Sequence, residues 1–176
     1  MKKNTMKILS VLCTYSKGDY TRAHINEKVR IKRLGEDRFQ FAACKDGHSL
    51  ITIEVVDCGL DLALETIEHD PKNGFYVQKF TCKKSELNQN LTPEEVRHYL
   101  RPSHAEFPKI EAVFPTSRGE IEEIGMGVEV LRSVLDVAKK LEIKRGLKYV
   151  FKNALSPVRL IQEKYNFEAL VMPVKL

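Results

Sequence analysis

"FPTSRGEIEEIGMGVEVL", residues 114–131, decides how the second half of the chain is read. An apolar run closes at Phe114, Pro115 and the pair Arg118-Gly119 follow, and Glu120, Glu122 and Glu123 then crowd three carboxylates into four residues. Gly125-Met126-Gly127 leads without a break into residues at helical spacing. Glycines opening a helix let a ligand approach the backbone, and the free amides and dipole of a helix start favour an anion. On that reading the donors are the amides of Gly125, Met126, Gly127 and Val128. The spacing is not a P-loop, since no Gly-Lys-Ser/Thr follows, and a single G-x-G is not a dinucleotide fingerprint. A tight turn with no ligand is the competing reading.

Working outward, "KIEAVF" (109–114) reads as the strand before this loop. Val130, Leu131, Val134, Leu135, Ala138 and Leu141 give the following helix one apolar face. "GLKYVFK" reads as a strand, Ser156-Pro157 as the start of a second helix reaching Tyr165, and "FEALVMPV" as a closing strand. The last seventy residues are therefore expected to run β-α-β-α-β. Upstream, "KVRIKRL" and "RFQFAAC" alternate as strands, and Asp46-Gly47 marks a hairpin turn into "SLITIEVV". Residues 58–68 suit a short helix carrying Leu60, Leu62, Leu64 and Ile67, and "FYVQKF" follows as a strand. Thr92-Pro93-Glu94-Glu95 combines an N-cap, a proline at the first helical position and a capping-box glutamate, so a helix is expected over 92–101.

Composition sets the frame. With 176 residues, 43% hydrophobic and 30% charged, the chain is expected to form one ordered domain over 1–176. No run is long and apolar enough to span a bilayer. The N-terminal apolar stretch, Ile8 to Cys13, is short for a secretory signal and suits a first strand or short helix. Cys13, Cys44, Cys58 and Cys82 are scattered without metal-ligand spacing, so reduced thiols, no metal and a cytoplasmic location are expected. The net charge of +5 is concentrated in residues 1–35, where nine Lys/Arg face two acidic residues. Those cations alternate with apolar residues and lack interleaved aromatics, as on a solvated strand face. A sequence-specific nucleic-acid reader is not expected.

Residues 109–167 resemble the GNAT superfamily of N-acetyltransferases. The resemblance rests on Val113-Phe114-Pro115-Thr116-Ser117-Arg118-Gly119, on Gly125-Met126-Gly127, on "LKYVFKN" ending at Asn153, and on "RLIQEKYNFEA" (159–169). It implies an α+β GNAT-like fold: a central mixed sheet with helices on both faces, in which 109–114 and 147–152 are adjacent parallel strands. It also implies acetyl-coenzyme A as acyl donor, bound at Val113, Arg118, Gly119, Gly125, Met126, Gly127, Val128 and Asn153, and an amine of a small molecule or protein as acceptor. Neither a membrane nor nucleic acid is then an expected partner, and a homodimer is compatible with the sequence.

The departures from the family are specific. Gly125 stands seven residues after Arg118 rather than three, the usual acidic tyrosine falls near Ile161, and Asn166 replaces a glycine. Glu111 is the candidate base, or a surface glutamate paired with Lys109. Tyr165 is the candidate acid, or packing at a helix end. Two alternatives stand beside the transferase: a catalytically inactive GNAT-like binding module, and a relative of the acyl-homoserine-lactone synthases.

Overall fold

The computed structural model describes residues 1–16, 28–45, 47–65, 67, 71–80, 89–103, 123–144 and 146–174. Its first element is helix α1, Lys3–Tyr15. Met6, Leu9, Leu12 and Cys13 fall on one side of it and are buried, while Lys3, Asn4 and Thr14 face out. The helix ends at Ser16, whose hydroxyl donates to the carbonyls of Leu12 (2.7 Å) and Lys28 (2.9 Å) and so ties the helix end to the start of the sheet.

Strands β1 (Val29–Gly35), β2 (Arg38–Lys45) and β3 (Ser49–Val56) form the expected meander. Their period-two pattern sends Val29, Ile31, Phe39, Phe41, Ile51 and Ile53 to one face, where all are buried. Gly47, at φ +69°, takes the left-handed geometry that the β2–β3 turn needs. Helix α2 is a single turn, Asp61–Leu64, flanked by buried Leu60. The short strands β4 (Phe75–Val77) and β5 (Leu100–Pro102) extend the sheet beyond β1. Between them lies α3, Pro93–Arg97, with the complete Thr92/Glu95 capping box. This helix is shorter than expected, because 100–102 pairs with β4.

The C-terminal part departs from the expected order. After the two-residue strand β6 (Gly125–Met126) comes α4, Val128–Lys140, with Val134, Val137 and Ala138 buried. Strand β7 (Lys148–Val150) leads not into a helix but into strand β8, Val158–Gln162. Ser156-Pro157 resembles a helix start, yet Val158 and Leu160 alternate into the core at the period of a strand, and that burial wins. One 3₁₀ turn, Glu163–Tyr165, and left-handed Asn166 (φ 47°) then reverse the chain into β9, Phe167–Val171. Asparagine is among the residues that tolerate this conformation. Strand β10, Pro173–Val174, pairs with β6.

The main sheet has the order β5-β4-β1-β2-β3-β9-β8-β7, and every pairing among the described residues is antiparallel. The β3–β9 ladder, with Ile51 opposite Ala169, joins the first half of the chain to the last. Helices α1 and α4 touch each other and pack on the same face of this sheet. Between them and the sheet lies a core of Phe39, Phe41, Phe167, Met6, Leu9 and Leu160. The GNAT-like mixed sheet with helices on both faces is therefore corrected. Strand 109–114 lies outside the described residues, and β7 is joined to β8 as an antiparallel neighbour.

Candidate functional site

The helix layer carries an excess of positive charge. With their apolar stripes turned to the sheet, α1 and α4 direct Lys3, Lys7, Arg132, Lys139 and Lys140 away from the core, and Lys144 follows just beyond α4. Among the described residues, Glu129, Asp136 and Glu142 are the carboxylates on the same surface, so six cations stand against three anions there. Lys7 donates to Glu142 Oε1 at 2.7 Å. That hydrogen bond, more than the general attraction of Lys7, holds the Glu142 carboxyl below its ordinary pKa. On the other face of the sheet two arginines are paired, Arg38 with Glu54 Oε1 at 2.6 Å and Arg159 with Glu168, and the strand registers place Arg30, Lys32 and Arg101 on that face too. Ala42 and Leu170 lie buried on this face, with Leu50 packed against them.

Each helix has thirteen residues and is about 20 Å long at ~1.5 Å per residue. Together they make a rigid surface of excess positive charge with few aromatic groups. Such a surface attracts a polyanion without reading its sequence. Sequence reasoning placed the cations of "EKVRIKRL" on a strand face, where β1 carries Arg30 and Lys32, but it left Lys3 and Lys7 unplaced. The helical spacing of Met6, Leu9 and Cys13 is the signal that places Lys3 and Lys7 outward, and the cations of α4 join them only through the tertiary fold.

The residues expected to bind a cofactor are not gathered into a cradle. Glu111, Val113, Arg118 and Gly119 lie outside the described residues. Gly125 and Met126 are spent on the ladder with Val174 and Pro173. Gly127 is the N-cap of α4 at φ −62° and ψ 120°, a geometry open to any residue. A Cβ there would meet Val130 Cγ2 at 3.5 Å, an ordinary contact, so neither backbone strain nor close packing demands glycine. Val128 is exposed. Asn153 is a turn residue whose Oδ1 accepts from the amides of Leu155 (3.0 Å) and Ser156 (2.8 Å). Tyr165 closes the 3₁₀ turn, half-buried, with no hydrogen bond to its hydroxyl among the described residues.

No family model matches the sequence, and no curated protein matches it. Solved structures do. The chain is similar to the DNA polymerase III beta subunit of Caulobacter crescentus, at 13% identity and a TM-score of 0.59, covering 100% of this chain and 65% of that one. It is also similar to the DNA polymerase III beta chain of Streptococcus pneumoniae TIGR4, at 11% identity and TM-score 0.56, covering 100% of this chain and 64% of the other. The sliding clamp of Pseudomonas aeruginosa, solved with griselimycin bound, matches at 10% identity and TM-score 0.55, again over 100% and 64%. The chain thus spans just under two thirds of the length of these clamps. At such identities the likeness establishes the fold, and the fold is that of a sliding clamp. It overturns the GNAT resemblance and, with it, the acetyltransferase, the inactive GNAT-like module and the homoserine-lactone synthase relative. The expected coenzyme A and amine partners fall for the same reason, and so does the exclusion of nucleic acid.

Proposed function

We propose that this chain associates with duplex DNA in the manner of a DNA polymerase sliding clamp, presenting the α1–α4 helix layer to the phosphate backbone. The observation that carries the proposal is the clamp fold itself, matched along the whole chain at a TM-score of 0.59. The charge distribution supports the orientation. Cations exceed carboxylates on the two helices, which hold them on one rigid surface. Lysine and arginine on rigid helices displace counterions from phosphates whatever the base sequence, which suits a protein that must travel along DNA rather than stop on it. A polymerase subunit is the second partner this reading implies. Work beside a DNA polymerase also implies a cytoplasmic location, in keeping with the free thiols of Cys13, Cys44 and Cys58. No helix among the described residues is long and apolar enough to cross a membrane.

Fluorescence anisotropy with two unrelated duplexes tests the proposal. The expected dissociation constant is ~10⁻⁴–10⁻⁶ M at physiological salt, equal for both sequences and weakening as salt rises. Reversing Arg132, Lys139 and Lys140 to glutamate is expected to weaken binding and to flatten the logarithmic salt slope by about three. Absence of salt-dependent binding, or a strong preference for one sequence, would contradict it.

A further inference from the structure

At the end of the helix layer a cavity of about 420 Å³ opens between the start of α1, the turn after α4, and strands β3 and β9. Its floor is apolar: Ile8, Ile53, Leu141, Ile143 and Phe167. Its rim is polar: Asn4, Lys7, Glu142, Lys144 and Tyr165. The Asn4 carboxamide and the Tyr165 hydroxyl make no hydrogen bond among the described residues, and Lys144 makes no salt bridge there. Volume and lining are those of a small-molecule site, an apolar body pocket with a few convergent polar groups.

The turn that builds the rim is held in a specific shape. The Ile143 amide donates to Ala138 O at 3.0 Å and the Glu142 amide to Lys139 O at 3.0 Å, closing α4 in a Schellman-type cap. Glu142 occupies the left-handed position, at φ 59°, where glycine would be easier. A glycine there could not reach Lys7, whereas the glutamate does so at 2.7 Å and holds the lysine at the mouth. With Glu142 engaged, a cationic ligand would find no free carboxylate. Among the described residues, two ammonium groups against one carboxylate leave the rim at +1, which suits a monoanion. A phosphate dianion would overshoot that charge and leave the apolar floor uncovered.

We propose that this cavity binds a small carboxylate carried on an apolar body, with the oxyanion at Lys144 and Tyr165 and the body on Ile8, Ile53 and Phe167. The site is independent of the DNA-binding reading, because its probes are tested without DNA. The experiment titrates ¹⁵N-labelled protein with 4-phenylbutanoate, its primary amide 4-phenylbutanamide, and 4-phenylbutylammonium. The carboxylate is expected to shift the amides of residues 4–8, 141–144 and 165–167 with a dissociation constant below about 1 mM, and to bind at least about tenfold more tightly than the amide or the ammonium. Lys144→Gln and Tyr165→Phe are each expected to weaken the carboxylate about threefold or more, while Lys140→Gln, outside the cavity, leaves it unchanged. Equal binding of carboxylate and amide overturns the proposal. So do shifts centred elsewhere on the molecule, or no saturable shift by about 5 mM. The comparison of the three probes uses the wild-type protein and stands even if a variant fails to fold.

Discussion

Gly74 and Gly127 look alike in the sequence and behave oppositely in the structure. Gly74 sits at φ +68°, and a Cβ there would lie 2.4 Å from the carbonyl oxygen of Ile31 on the neighbouring strand. That oxygen belongs to the sheet and cannot move cheaply. Gly74→Ala is therefore expected to destabilise the fold by about 2 kcal/mol or more, read from urea unfolding. Gly127, one of the residues expected to bind acetyl-coenzyme A, has ordinary angles and no side-chain cap on its helix. Gly127→Asp supplies that cap, so it is expected to leave stability unchanged or raise it by about 0.3 kcal/mol. A large loss would show that Gly127 is held by something outside the described residues. Residue-level reasoning also reaches pH. Glu142 has its folded pKa lowered chiefly by the Lys7 hydrogen bond, so its contribution is present above the unfolded pKa and is lost as pH falls through the folded value. Carboxyl NMR is expected to place the Glu142 midpoint below the ordinary glutamate value, and to move it upward in Lys7→Gln. An unmoved midpoint would mean that the pair does not persist in solution.

Among the elements, those with strong local chemistry were legible. The alternation of "KVRIKRL" and "RFQFAAC" is the alternation of burial along β1 and β2, and Gly47 turns the hairpin as its residue type requires. Thr92 accepts from the Glu95 amide at 3.3 Å, and Glu95 accepts from the Thr92 amide at 2.8 Å. With only five residues in α3, that reciprocal cap is a large share of what holds it, and Thr92→Ala is expected to cost about 1 kcal/mol in urea unfolding. The stretch 156–165 reads as a helix from the sequence because Ser156-Pro157 satisfies a helix start locally. What makes Val158–Gln162 a strand is its pairing with β9 and β7, contacts that no local signal announces. The G-x-G misled in the same way. At the start of a helix it resembles a ligand cradle, yet Gly125 and Met126 serve a ladder with residues almost fifty positions away.

At the scale of the molecule, the relation between the two faces was not legible at all. Lys7 and Lys140 lie far apart in the chain, and only the packing of α1 beside α4 puts them on one surface. The same packing, under the antiparallel sheet order β5-β4-β1-β2-β3-β9-β8-β7, separates that surface from the sheet face that carries Gln40 and Arg159. An account in which DNA lies on the helix layer makes a geometric claim that binding strength alone does not test. Photo-cross-linking does so directly. A benzophenone side chain is placed in turn at Thr14 and Lys140, on the helix layer, and at Lys32 and Gln40, on the opposite face of the sheet, and each protein is irradiated with duplex DNA at low salt. Cross-links to DNA from Thr14 and Lys140, with none from Lys32 or Gln40, are the expected result; cross-links from the sheet positions alone would contradict the account.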